Sequence, residues 1–214
     1  MKKFELTAEF VMNVFGKKLF RIKALVAFGD VEKGELGGFI EKEDNLSHSG
    51  NAWVYGNALV YGDAWVSGNA RVSGNAWVSG DARVSGDAKV SGDAKVSGNA
   101  WVYGNALVYG NAWVYGDAKV SGNAWVSGDA KVSGDADYAV VGGFGRYFRA
   151  TTFFRCKDKI LRVQCGCFYD DLTQFRKIVK KTHGNSKYAK EYLAIADLME
   201  LHFSDEEERQ EATE

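Results

Sequence analysis

"GNAWVYGNALVYGDAWVSGNARVSGNAWVSGDARVSG", residues 50–86, is one six-residue phrase repeated with small changes. Glycine falls at every sixth position from Gly50 to Gly134, and the phrase reads Gly-(Asn or Asp)-Ala-x-Val-(Ser or Tyr) almost throughout. A period of six belongs neither to a helix nor to a flat hairpin sheet. Within each phrase Ala and Val stand two apart, as Ala52 and Val54 do, so a strand points both to one side and the residue between them to the other. Gly with Asn or Asp supplies a corner, because Gly takes positive φ freely and Asn and Asp tolerate it. Short strands joined by corners bury little alone, so successive coils must stack about 4.8 Å apart around a narrow interior of Ala and Val. The predicted architecture is a mainly β protein built on a parallel β-helix.

The pattern of an aliphatic residue followed four positions later by a small one, Val54 with Ala58 and Val60 with Ala64, resembles the hexapeptide-repeat family. That resemblance covers residues 50 to about 139. It implies a left-handed triangular coil with three phrases per turn, about five coils in all.

With three phrases per turn, residues eighteen apart form outward columns. One face reads Trp65, Arg83, Trp101, Lys119; a second Trp77, Lys95, Trp113, Lys131; the third Trp53, Arg71, Lys89, Leu107, Trp125. All six tryptophans occupy this outward position. Alternating Trp with Lys or Arg allows cation–π contacts worth about 0.5–1 kcal/mol each at exposed sites, which is a stabilising use. The second use is a protein interface formed by Trp53, Trp65, Trp77, Trp101, Trp113 and Trp125 with Tyr103, Tyr109 and Tyr115, since aromatic residues and Arg dominate hot spots. The corner column Asp63, Asp81, Asn99, Asp117, Asp135 reads as turn chemistry rather than a cation site, so no metal is expected.

Many hexapeptide-repeat relatives are acyltransferases, and others resemble carbonic anhydrases with histidine-bound zinc; both need a histidine on or between coils. Here the histidines are His48, His183 and His202, all outside the repeat. The expectation is therefore a chain with no catalytic residue in its coil and no cofactor. A transferase working at a trimer cleft and depending on His48 stands as the alternative, and a self-assembling structural protein as the third reading.

The N-terminal residues 1–49 read as a β cap, with strands at 3–13 and 19–28 and an irregular first coil carrying Ile40 and Leu46. Residues 140–203 read as a small α+β domain. Strand-like "ATTFFRCK" and "KILRVQCG" flank a turn at "KDK", and "GGFGR" at 142–146 reads as a flexible junction. One helix should start at the capping residues Asp170 and Asp171, bury Leu172, Phe175, Ile178 and Val179, and stop at Gly184. A second, about 186–203, carries Tyr188, Tyr192, Ile195 and Met199 at helical spacing. Residues 204–214 form an acidic tail expected to be disordered. Cys156, Cys165 and Cys167 read as reduced, buried thiols, the last two on one strand face, rather than as a zinc set with His183.

The net charge of −1 over 214 residues favours neither nucleic acid nor membrane. Arg176, Lys177, Lys180 and Lys181 cluster on the first predicted helix and form a candidate phosphate-binding surface, with nucleic acid ranked behind a protein partner. Self-association as dimer or trimer is a further candidate. With no apolar run of membrane length and no signal-like start, the expected location is the cytoplasm of a bacterial host. The hexads together with "FGDVEKGELGGFIEKEDNLS" and "CGCFYDDLTQFRKIVKKTHG" are similar to proteins carried by bacteriophages and prophages. This implies a viral setting and, as one form of partner, a host-defence protein that the chain inhibits.

Overall fold

The structure is a computed structural model and describes residues 2–204. The acidic tail expected at 204–214 lies outside the described residues except for Ser204, which ends the last helix. Two compact units divide between Gly134 and Asp135.

In the first unit each phrase supplies a two-residue strand, its x-Val pair, from β4 (Trp53–Val54) to β17 (Lys131–Val132). Strands eighteen residues apart pair in parallel and in register, giving three sheets wound through about five turns. The pairing carries one hydrogen-bond pattern forward throughout: Trp65 N–H donates to the Ala82 carbonyl at 2.9 Å and Ser67 N–H to that of Val84 at 3.0 Å. Ala and Val of every phrase fill the interior and are inaccessible to solvent. At about 1.5–3 kcal/mol for each buried Val, a core two residue types wide still holds the stack together.

The corners need glycine for two reasons. Gly86 has φ +67°, and a Cβ there would lie 3.0 Å from the backbone nitrogen of Gly104 in the next coil. Corner Asn side chains then tie coils together. Asn69 Nδ2 donates to Asp87 Oδ1 at 3.0 Å, Asn75 to Asp93 at 3.1 Å and Asn99 to Asp117 at 2.9 Å. In these pairs a carboxamide meets the carboxylate eighteen residues on, so two charges do not face each other.

Along the coil the Ala and Val carbonyls accept N–H groups from the preceding coil, as those of Ala82 and Val84 do from Trp65 and Ser67, so in the first coil these carbonyls need donors from outside the repeat. The N-terminal segment provides them. Strands β1 (Phe4–Met12) and β2 (Lys18–Ala24) form an antiparallel hairpin, and β2 pairs with β3 (Leu36–Ile40). β3 lies parallel on β5 (Leu59–Val60), with Phe39 N–H on the Ala58 carbonyl and Glu41 N–H on that of Val60. On the second face Leu46 bridges Val66, Ser47 N–H reaches the Val66 carbonyl, and the buried Asn45 donates Nδ2 to Gly62 and Ala64. On the third, Lys3 Nζ donates to the Ala52 carbonyl at 2.8 Å. Lys3 is itself buried, and desolvation lowers its pKa to about 8.

The strand series stops at Val132 rather than running to 139. In the phrase after Gly134, Tyr138 stands where the other phrases have Val. Tyr138–Val141 instead forms β18 of the second unit, whose antiparallel sheet continues with β19 (Thr151–Arg155), β20 (Leu161–Cys165) and β21 (Phe168–Asp171). Two helices follow, α1 (Leu172–His183) and α2 (Lys187–Ser204). Asp171 caps α1 by accepting from Gln174 N–H at 2.7 Å, and Gly184 ends it at φ +55°. The core joins Phe153 and Val163 of the sheet to Phe175, Val179, Tyr192, Ile195, Met199 and Phe203. Ile178 is not part of it: the side chain expected in the core is 38% exposed. Its position on α1 lies at the edge of the stripe formed by Leu172, Phe175 and Val179. Tyr188, the first residue of the α2 stripe, is likewise exposed.

Candidate functional site

The outward columns lie in the register read from the sequence. Trp65, Arg83, Trp101 and Lys119 align on β6 (Trp65–Val66), β9 (Arg83–Val84), β12 (Trp101–Val102) and β15 (Lys119–Val120). Trp77, Lys95, Trp113 and Lys131 align on a second face, and Trp53, Arg71, Lys89, Leu107 and Trp125 on the third. Cations lie over rings inside these columns. The Arg83 guanidinium is 5.1 Å from the Trp101 ring centroid and Lys95 Nζ 4.8 Å from that of Trp77. Lys131 sits over Tyr115 rather than over Trp113, whose ring packs on Tyr115 at 4.8 Å and whose Nε1 donates to Ser97.

The faces are not equivalent. Trp53 points outward yet is completely buried, so its assignment to a binding surface is corrected: Phe4 and Phe28 of the cap cover its ring. On the same face Arg71 forms a two-pronged ion pair with Asp30, both contacts at 2.8 Å. Tyr55 donates to the same carboxylate. Trp77 and Tyr109 are half-buried. Trp65 and Trp101, at 43% and 41% exposure, lie on the β6–β9–β12–β15 face with Arg83, and Tyr103, just beyond β12, is 39% exposed. Trp113 and Trp125 are exposed singly on the other two. The first face therefore carries two exposed tryptophans, Trp65 and Trp101, on either side of Arg83.

The four basic residues of α1 do not act as one patch. Arg176 pairs with Asp197 at 2.7 Å and Glu200 at 2.8 Å, which fastens α1 to α2 and raises its pKa. Its reading as a phosphate contact is corrected on that account. Lys177 and Lys181 border a shallow hollow of about 300 Å³ floored by Phe168 and Ile178, while Lys180 does not line it.

His48 is held by the cap. Its Nδ1 accepts from Lys3 N–H at 3.1 Å, its Nε2 lies 2.7 Å from Glu43 Oε1, and its ring stacks on Phe4. Of the cysteines, only Cys156 is buried; its thiol is pushed up in pKa by desolvation. Cys167 does not share a strand face with Cys165. It is exposed in the two-residue turn between β20 and β21, where Gly166 at φ +60° makes a tight hairpin. Among the described residues no three His, Cys, Asp or Glu side chains are grouped to hold a metal ion. No helix among them is long and apolar enough to cross a membrane.

A further site lies where the sequence suggests only a flexible junction. The loop after β18 is fastened: Gly145 N–H donates to Glu191 Oε2 at 2.9 Å, and beyond it Tyr147 and Phe148 project into solvent. The signal for it in the sequence is the run 138–157, which has Arg146, Arg149, Arg155 and Lys157 and, before Asp158, no acidic residue.

No curated protein matches the chain. A family model described as YdcK beta solenoid repeat matches residues 52–68, 64–80 and 101–116, all within the coil, and marks this part of the chain as a repeat β-solenoid.

Proposed function

We propose that this chain is a non-catalytic β-solenoid scaffold that captures a macromolecular partner, a protein in the first place, on the β6–β9–β12–β15 face. The observation that carries the reading is the placement of Trp65 and Trp101, each about two-fifths exposed, in register on either side of Arg83, with the exposed Tyr103 two residues beyond Trp101. Aromatic residues and Arg on a rigid support lose little conformational freedom on binding. The engagement of both His48 nitrogens in the cap supports a non-catalytic role over the transferase alternative. The donors supplied by β3, Asn45 and Lys3 to the first coil count against end-to-end stacking through that edge.

Sequence resemblance alone supports the finer points: membership of the hexapeptide-repeat class with left-handed winding, and origin in a bacteriophage or prophage. In that setting the partner is a host or defence protein in the bacterial cytoplasm, and binding inhibits it. The test compares immobilised wild-type chain with Trp65→Ala/Trp101→Ala and with Trp113→Ala/Trp125→Ala in bacterial lysate. A protein retained in stoichiometric amount by the wild type and the second variant, and absent with the first, supports the proposal. Equal retention by all three overturns it.

A further inference from the structure

The loop between β18 and β19 combines three features found together nowhere else among the described residues. It is anchored, it is strained, and it exposes large rings. Gly143 and Gly145 turn it at φ +84° and +72°. Gly145 lies so close to the Tyr192 hydroxyl that a Cβ at this position would collide with it, and Arg149 packs its guanidinium against Gly166. Between these anchors Tyr147 and Phe148 are 63% and 72% exposed. Phe148 adopts φ +53°, a left-handed conformation disfavoured for a residue with a Cβ. A bulky apolar side chain held in solvent by a strained backbone contributes nothing to the core, and such outliers point to function.

The chemistry around Phe148 narrows the ligand. The Arg146 and Arg149 guanidinium groups lie 5.6 and 5.0 Å from the Tyr147 ring centroid, so one ring contacts both cations. The sequence around them, 138–157, has no carboxylate side chain, and the adjacent Glu191 is turned inward onto the Gly145 amide. The Phe148 ring has no aromatic partner among the described residues. An open ring between two arginines in the chain suits a ligand with flat faces linked by anions. An acidic peptide satisfies the arginines but offers the ring no flat surface, and a duplex hides its base faces inside its own stack.

We propose that residues 144–149 form a contact site for single-stranded nucleic acid, in which Phe148 stacks a base and Arg146 and Arg149, held on Tyr147, bind the flanking phosphates. The site lies in the second unit and is independent of the coil face proposed for a protein partner.

The experiment is fluorescence anisotropy of a fluorescein-labelled oligothymidylate titrated with the full chain at low salt, beside a duplex of equal length. The single strand binds at least about tenfold more tightly than the duplex, and Phe148→Ala weakens it by about tenfold or more. Replacing both arginines (Arg146→Gln/Arg149→Gln) lowers the slope of log affinity against log salt by about 1.4, roughly 0.7 for each phosphate no longer neutralised. Phe148→Gly relaxes the backbone, so its melting temperature rises while its binding falls; a folding defect would move both down together. Absence of oligothymidylate binding overturns the proposal. So do equal affinity for the duplex, unchanged binding by the Phe148 and arginine variants, or weakening confined to Lys177→Gln/Lys181→Gln, which would place the contact on α1.

Discussion

Phe28 meets Trp53 edge to face, ring centroids 5.3 Å apart and planes at 71°, and closes off a side chain that the repeat directs outward. Phe4 approaches the same indole from another direction at 6.2 Å. One phrase position thus serves two purposes: under the cap the Trp is core, and farther along the coil it is surface.

Trp53→Ala is expected to cost about 3–5 kcal/mol, the range for removing a buried aromatic side chain. Trp65→Ala and Trp101→Ala should each cost under about 1 kcal/mol, since these rings are two-fifths exposed and only Trp101 gives up a cation–π contact, with Arg83. Urea unfolding of the three variants checks the contrast.

The corner glycines separate strain from crowding. Gly86 and Gly122 have nearly equal φ, +67° and +63°, but an added Cβ meets the next coil only at Gly86. Gly122→Ala should cost about 1–2 kcal/mol for the left-handed backbone alone, and Gly86→Ala measurably more because the coils must separate. Thermal melts of both variants read the difference.

Lys3 gives the cap a pH dependence. Burial lowers its folded pKa to about 8 from an ordinary 10.5, so between these values the unfolded chain binds more protons. Stability attributable to Lys3 therefore rises as pH climbs from about 8 to 10.5 and is constant below 8. The stability difference between wild type and Lys3→Met, followed across that window, should shift in favour of the wild type. A flat difference would show that the amine is not desolvated.

Asn45 closes the first coil with three hydrogen bonds: Nδ2 to Gly62 and Ala64, and Oδ1 from Lys42 N–H. Asn45→Ala leaves buried carbonyls without donors and should cost about 1–3 kcal/mol. Hydrogen exchange at Val66 and Ser67 should quicken before that of the middle coils.

The coil is legible in the sequence because its signal is local and repeated: period six, Ala and Val two apart and Gly at each corner mark strand and interior, while the eighteen-residue register comes from the resemblance to hexapeptide repeats. What the sequence hides depends on contacts between distant segments. Trp53 looks like the other five tryptophans until Phe28, far upstream, is folded over it. Arg176 looks like its lysine neighbours until α2 brings Asp197 and Glu200 beside it. Cys167 follows the alternation of "RVQCGC" on paper, but Gly166 breaks the strand there. The glycines of the 142–149 loop suggest freedom, whereas Gly145 is there to let the backbone approach Tyr192.

The proposed binding surface is the β6–β9–β12–β15 face. Its most direct measurement is photo-cross-linking in bacterial cells, with the cross-linking group placed in turn at positions 65, 101, 113 and 125. One discrete cross-linked protein is expected at 65 and 101, and none at 113 and 125. The same product from all four positions, or none from any, would contradict the proposal.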